Sequence, residues 1–225
     1  MDPDLDGNYA GTRLYGDQYM GSEEYVRFYA SGDDGYTYLH AGQYWKDYEG
    51  AAEVTRSGIS YDAERNVLTL RDFAAEILDV NLMGNGFTIE LIGNSYVNQV
   101  VIWGFHYGGS VRFMGSGSLV INDHYANVNG GLILQCEESE SCIMVEDGVT
   151  LEIYGGSPEQ YTPAIQVVDS IMDPVIYYSS AMELYAKATL AGSAGEGSEV
   201  RENYVCLITA PDGSRADYIH FAPRE

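Results

Sequence analysis

The chain has 225 residues, 45% hydrophobic and 12% aromatic, and sets 34 acidic against 11 basic residues for a net charge of −23. That length and apolar content suit one domain with a buried core and not a disordered acidic tail. Such a surface repels phosphate backbones and anionic lipid, so no nucleic-acid partner is expected and anionic membranes are disfavoured, and no apolar run approaches the roughly 20 residues of a membrane-spanning helix, so no membrane insertion is expected.

The first residues are polar. Asp2, Asp4, Asp6 and Gly7 have the spacing of half a calcium loop, but Arg13 stands where the closing glutamate belongs, so the segment reads as a linker. No basic-then-apolar leader follows Met1. Residues 9–57 hold nine of the twenty tyrosines and no visible period. Within them EYVRFYA (24–30) reads as a strand and YTYLHAGQYW (36–45) as a hairpin about Ala41-Gly42. Residues 1–57 are therefore expected to form a Tyr-rich N-terminal β cap or side cover for a second unit, 58–225, because an open stack of strands needs its ends closed.

From residue 80 the sequence repeats. VNLMGNGFTIEL (80–91) returns as VRFMGSGSLVI from Val111, IMVEDGVTLEI from Ile143 and VIYYSSAMEL from Val175, at steps of 31, 32 and 32 residues. A further column runs LTL (68–70), VVIW (100–103), LILQ (132–135) and AIQV (164–167). Three short strands per repeat at a fixed period describe an all-β solenoid with rungs of about 31–32 residues. A strand this short cannot bury its apolar side alone, whereas stacked copies, about 4.8 Å apart, share one core. On this reading Ile89, Leu119, Leu151 and Met182 lie in one stack, with rungs at approximately 67–98, 99–130, 131–162 and 163–190 and a last partial rung at 204–222. An antiparallel β-sandwich is the alternative, since its strands also recur, though without one register.

The 100–103, 132–135 and 164–168 column is apolar at nearly every position, as in sheets covered on both faces, while the TIEL-type column alternates and should have a wet outer face. After a polar Gly/Ser-rich stretch (191–203), YVCLI (204–208) and YIHFA (218–222) flank the turn signal PDGS.

SYDAERNVLTL (60–70), ELIGN (90–94) and GSGSLVI (115–121) resemble a repetitive domain of surface proteins from gut-type Gram-positive bacteria, whose usual form is a YDA-x-x-N-x-LTL strand followed by LTI-x-GxGxLTI rungs. The resemblance covers about 58–190. It implies a right-handed parallel β-helix, often labelled carbohydrate-binding, but carries over no binding residue. SSAMEL in the fourth copy departs from the glycine corner of that pattern.

Stacked corners bring chemistry together. The corner RDFAAE (71–76) is expected to align with 104–110, 136–141 and 169–174, setting Asp72, Glu76, Glu138, Glu140, Asp169 and Asp173 on one edge. Crowded carboxylates suit a hard cation such as Ca2+, although a solvated acidic ridge looks the same in sequence and no cofactor is required. Glu152 and Glu183, outward on neighbouring rungs, raise the same question. The corner that closes each rung collects Tyr96, His124, Tyr125, Asn127, Tyr154 and Tyr161. Aromatic faces beside amides suit sugar rings, and the same residues also fill tight corners for backbone reasons. Tyr96, Tyr125 and Tyr161 are expected to form a column along one edge.

Enzyme motifs are scarce. The two lysines, Lys46 and Lys187, lie away from the acidic edge, Arg71 and Arg112 are the available bases, and the four histidines lack metal-ligand spacing. The expected function is a non-catalytic, monomeric module of a larger bacterial cell-surface or secreted protein, a rigid spacer or adhesin segment that binds glycan. A calcium-dependent polysaccharide lyase or hydrolase is the alternative, because fold does not fix function.

Cys136 and Cys142 stand six apart across a corner, which fits either a short-loop disulfide in an oxidising compartment or two unpaired thiols; Cys206 reads as a small buried hydrophobe. If the bond forms, thiol titration of the unreduced, unfolded chain finds one free cysteine and the two Cα atoms lie about 4.4–6.8 Å apart. Three titrating thiols would remove the argument for an oxidising compartment.

Overall fold

The computed structural model describes residues 25–41, 58–81, 86–103, 110–127, 130–135, 142–156, 162–168, 175–187, 204–205 and 216–224. Within them the chain is all-β. Its strands form two mixed sheets, of ten and seven strands. The helical content of the described residues is one 3-10 turn, Asp123–Tyr125, and none of their helices is long and apolar enough to cross a membrane.

β1 (Tyr25–Tyr29) and β2 (Thr37–Ala41) form a hairpin, as do β3 (Ile59–Asp62) and β4 (Val67–Arg71). The chain continues through β5 (Ala74–Asn81), β6 (Phe87–Ile92), β7 (Asn94–Trp103), β8 (Ser110–Gly115), β9 (Ser118–Ile121), β10 (Gly131–Gln135), β11 (Cys142–Val145), β12 (Thr150–Tyr154) and β13 (Ile165–Val168). β14 (Val175–Tyr178), β15 (Met182–Lys187), β16 (Tyr204–Val205) and β17 (Tyr218–Pro223) complete it.

Three parallel ladders organise these strands. The first runs β4, β6, β8, β11, β14. The second joins the start of β7 to β9 and β12. The third joins β5, the end of β7, β10 and β13. Register makes buried rows: Leu68, Ile89, Phe113, Val145 and Tyr178 follow one another across the first ladder. Phe28, Leu78, Val100 and Leu132 do so across the third, with β1 added at its edge. Each aliphatic or aromatic side chain so buried contributes about 1.5–3 kcal/mol relative to exposure.

The turns differ in length. Phe87 pairs with Val111, a turn of 24 residues, while Val111 pairs with Ile143, a turn of 32. β7 runs straight from the second ladder into the third, with no corner between Val97 and Gln99. β9 and β10 are instead separated by the corner 122–130, and β12 and β13 by 155–164. This corrects the expected stack: Ile89 faces Phe113 and not Leu119, and LTL (68–70) belongs to the first ladder and not the third. Leu119 does face Leu151. Met182 is separated from Leu151 by β17, which enters antiparallel between β12 and β15 and places Phe221 against both Leu151 and Leu184. β16 likewise pairs antiparallel with β14, so β17 inserts between earlier strands, β16 lies beside one, and neither stacks on as part of a final parallel turn.

At the corner between β4 and β5, Asp72 Oδ1 accepts the Asn94 N–H at 2.9 Å, so this corner lies against 92–94. The segments expected to align with it, 104–110, 136–141 and 169–174, lie outside the described residues except for Ser110. The corners sit close: a Cβ on Gly93, whose φ is +68°, would come 2.1 Å from Asp72 Oδ1, and one on Gly117 would come 2.6 Å from the Gly93 carbonyl. Only glycine fits both constraints at Gly93.

Of the Tyr-rich segment, β1 and β2 add antiparallel to β5 and close the edge of the third ladder. The β1–β2 turn lies at 30–36, and the hairpin expected about Ala41-Gly42 falls outside the described residues from Gly42 onward. The outer face of this ladder is buried too, in a second cluster of Tyr25, Tyr38, Val101, Trp103 and Ile133. At its centre Arg27 Nε and Nη2 donate to Asp79 Oδ2 at 2.9 and 2.7 Å, Arg27 Nη1 donates to Tyr38 Oη at 2.8 Å, and Trp103 Nε1 donates to Asp79 Oδ1 at 3.1 Å. The guanidinium also lies 4.5 Å from the Tyr25 ring centroid and 4.2 Å from that of Tyr36. Burial pushes the Asp79 carboxyl up against the pull of Arg27. Burial works against the Arg27 charge as well, but Asp79, Tyr25 and Tyr38 outweigh it and hold Arg27 above its ordinary value. Arginine keeps its proton, so a neutral Asp79 would strand a buried cation and the ionised pair is the state that fits.

Asp79→Ala is expected to cost about 3–5 kcal/mol in urea unfolding, since it leaves Arg27 buried and uncompensated. Replacing both partners (Arg27→Met, Asp79→Leu) should recover most of that loss.

Candidate functional site

The extra corner of the longer turns is built on one side chain. Asn122 follows β9 in the left-handed region (φ 57°) and is fully buried. Its Oδ1 accepts the Asn127 N–H at 2.6 Å, and its Nδ2 donates to the Asn127 carbonyl at 2.8 Å and to the Gly155 carbonyl. One asparagine thus closes its own corner and ties it to the next. Asparagine tolerates left-handed backbone better than most residues. His124 (φ 52°) and Tyr125 (φ 60°) share that conformation. Non-glycine residues held there store about 1–3 kcal/mol each and concentrate at functional positions.

This corner delivers His124 and Tyr125 to a run of rings. The His124 ring stacks on Tyr154 at 5.6 Å between centroids and 19° between planes, and Tyr125 meets Tyr154 edge-on at 5.2 Å. Tyr154 lies 4.8 Å from Tyr218, Tyr218 lies 6.4 Å from His220, and His220 lies 6.0 Å from Tyr185. Strand alternation places them: on β12, β17 and β15 the inward Leu151, Ile153, Ile219, Phe221 and Leu184 are buried, so Tyr154, Tyr218, His220 and Tyr185 take the opposite, half-buried face. Register sets Tyr154 opposite Tyr218, and His220 between Glu152 and Tyr185.

Carboxylates hold the phenols. Glu152 Oε1 accepts the Tyr154 and Tyr218 hydroxyls at 2.8 and 2.7 Å, Glu183 accepts that of Tyr185, and Asp217 accepts that of Tyr125 at 3.3 Å. Burial, then the hydrogen bond to Glu152, raises Tyr154 and Tyr218 above the ordinary phenol value, so both stay neutral donors at physiological pH. The assembly presents ring faces and carboxylate oxygens along one side of the sheet.

Tyr96 is 49% exposed, but it sits mid-strand opposite Val120 and not above Tyr125, which corrects the expected column. The reason is that β7 has no corner there. Asn127 serves the Asn122 corner through its backbone. Tyr161 lies outside the described residues, as do Glu138, Glu140, Asp169 and Asp173 of the acidic edge. The expected Cys136–Cys142 bond likewise lies outside them, because Cys136 does. Of the remaining acidic candidates, Asp72 holds the Asn94 amide and Glu76 accepts the Asn98 side chain, so each has a partner on the neighbouring strand β7. Among the described residues no three of His, Cys, Asp and Glu converge as metal ligands. Arg112 meets a single carboxylate, Glu146, at 3.4 Å on the surface.

Sequence reasoning named His124, Tyr125 and Tyr154 and noted Glu152 and Glu183 as outward, but missed Tyr185, Tyr218 and His220. The alternation of YIHFA marks Tyr218 and His220 as sharing a face; nothing local says which strands flank them. No family model matches the chain, nor does any curated protein or solved structure.

Asn122→Ala should cost about 3 kcal/mol in chemical unfolding, from three side-chain hydrogen bonds lost at a buried corner. Near-ultraviolet circular dichroism from the adjoining tyrosines should change with it.

Proposed function

We propose that the chain is a non-catalytic carbohydrate-binding module of a bacterial cell-surface or secreted protein, built as a parallel β-helix that doubles as a rigid spacer. The observation that carries the reading is the run of five rings from His124 through Tyr154, Tyr218 and His220 to Tyr185, with neighbouring centroids 4.8–6.4 Å apart. Sugars present C–H faces that stack on such rings and hydroxyls that need acceptors, which Glu152 and Glu183 supply. The rings step from β12 to β17, along β17 from Tyr218 to His220 and on to β15, so an extended glycan lying obliquely across these strands, roughly 4.8 Å apart, meets a ring on each. Parallel in-register ladders and the resemblance of 58–190 to bacterial surface repeats support the β-helix and the extracellular setting. A β-helix lyase or hydrolase needs a base facing several carboxylates, and no observation favours that alternative.

Each stacked contact contributes about 0.5–1.5 kcal/mol, by analogy with aromatic pairs, so affinity is weak and depends on several contacts together. His124, whose side chain is 84% exposed, is the cleanest probe. His124→Ala should weaken glycan binding about three- to tenfold in calorimetry while leaving the melting temperature unchanged. An intact domain that binds no saccharide on a glycan array would leave the spacer role alone.

A further inference from the structure

Resting on that reading, we infer that the saccharide taken by this face carries free amino groups: the ligand is a cationic glycan of glucosamine type, not a neutral or uronate-bearing one. Three observations converge. The ring run is bordered by carboxylates: Glu152, Glu183 and Asp123 each contact one of its rings or phenols, and Asp217 accepts the hydroxyl of the adjoining Tyr125. Glu152 commits only Oε1 to the Tyr154 and Tyr218 hydroxyls. Among the described residues no group hydrogen-bonds its Oε2, which is left as an acceptor beside two phenol faces only 4.8 Å apart. Glu183 is in the same position beside Tyr185, with one oxygen engaged by the phenol.

An ammonium group set over phenol rings and against a carboxylate gains both cation–π attraction and a charge-assisted hydrogen bond. A neutral acetamido or hydroxyl group at the same place gains neither charge term. A uronate is repelled, both locally and by the net charge of −23. The tyrosine hydroxyls point their protons at the carboxylates, so they add no positive edge that would favour an anion. Register repeats the pairing along the track, with Glu152 and Tyr185 on either side of His220, so successive amino groups of an extended chain meet successive carboxylates.

The test compares a short β-1,4-linked glucosamine oligomer, its fully N-acetylated counterpart, an oligogalacturonate and an oligolysine of equal charge, by calorimetry on the full chain. The inference expects the glucosamine oligomer to bind at least tenfold tighter than the acetylated one, the oligogalacturonate not to bind, and the oligolysine to bind much more weakly. Glu152→Gln keeps the shape and the acceptor for both phenols, and should bring the two aminoglycan forms to within a few-fold of each other with the melting temperature unchanged. Equal affinity for the free and acetylated oligomers, or preference for the uronate, overturns the amino-sugar assignment and leaves carbohydrate binding standing. Oligolysine binding as tight as glucosamine overturns it in favour of a basic peptide. No binding of any saccharide overturns this inference and the carbohydrate reading together.

Discussion

The in-register parallel pairing of short strands is the constraint on which everything else rests. None of β4, β6, β8, β11 or β14 is longer than six residues, and none has a face large enough to bury by itself. Pairing puts Leu68, Ile89, Phe113, Val145 and Tyr178 in one row, so each side chain is buried by its neighbours above and below. Strand hydrogen bonding thereby fixes the packing, and packing fixes the register in return, since a one-residue slip would turn the whole row outward.

That mutual dependence explains where the structure tolerates variation. Ladder positions are held, but the connection between the second and third ladders is free to lengthen, and it does so after β9 and β12 while β7 passes straight through. The insertion creates the Asn122 corner, and the corner carries His124 and Tyr125 out beside Tyr154. The candidate site is thus a by-product of an eight-residue difference between turns, anchored by a buried asparagine to the rigid part of the fold. Residues placed by a corner so tied can be held in left-handed backbone that a free loop would relax.

The ends of the stack are handled by antiparallel pairing. β1 and β2 close the edge of β5, and the Arg27–Asp79 pair lies at that junction, with Tyr38 on β2 and Trp103 on β7 completing its hydrogen bonds. A buried ion pair adds little net stability compared with apolar packing, yet it penalises any register that separates its partners. Here its partners lie on β1 and β5, the two strands through which the hairpin meets the ladder. At the other end β17 turns back between β12 and β15, which both fills a slot and supplies two of the five rings of the aromatic run.

Composition and periodicity, by themselves, determined the β class, the 32-residue step from Val111 to Ile143 and the alternating face of the 150–153 strand. These are properties of neighbouring residues or of overall composition. They even marked Glu152 as outward and His124, Tyr125 and Tyr154 as corner residues. Periodicity misassigned 80–91, because VNLM and TIEL look like one repeat while the shorter turns put Val80 opposite Ile102 and Ile89 opposite Phe113. Only the tertiary structure decided that, and only it placed β17 beside β12. A strand's alternation says which residues share a face, but its partners are chosen by which open edge lies within reach of the chain, and that depends on every turn length before it. Tyr218, His220 and Tyr185 join Tyr154 for that reason, across a separation that no local pattern encodes.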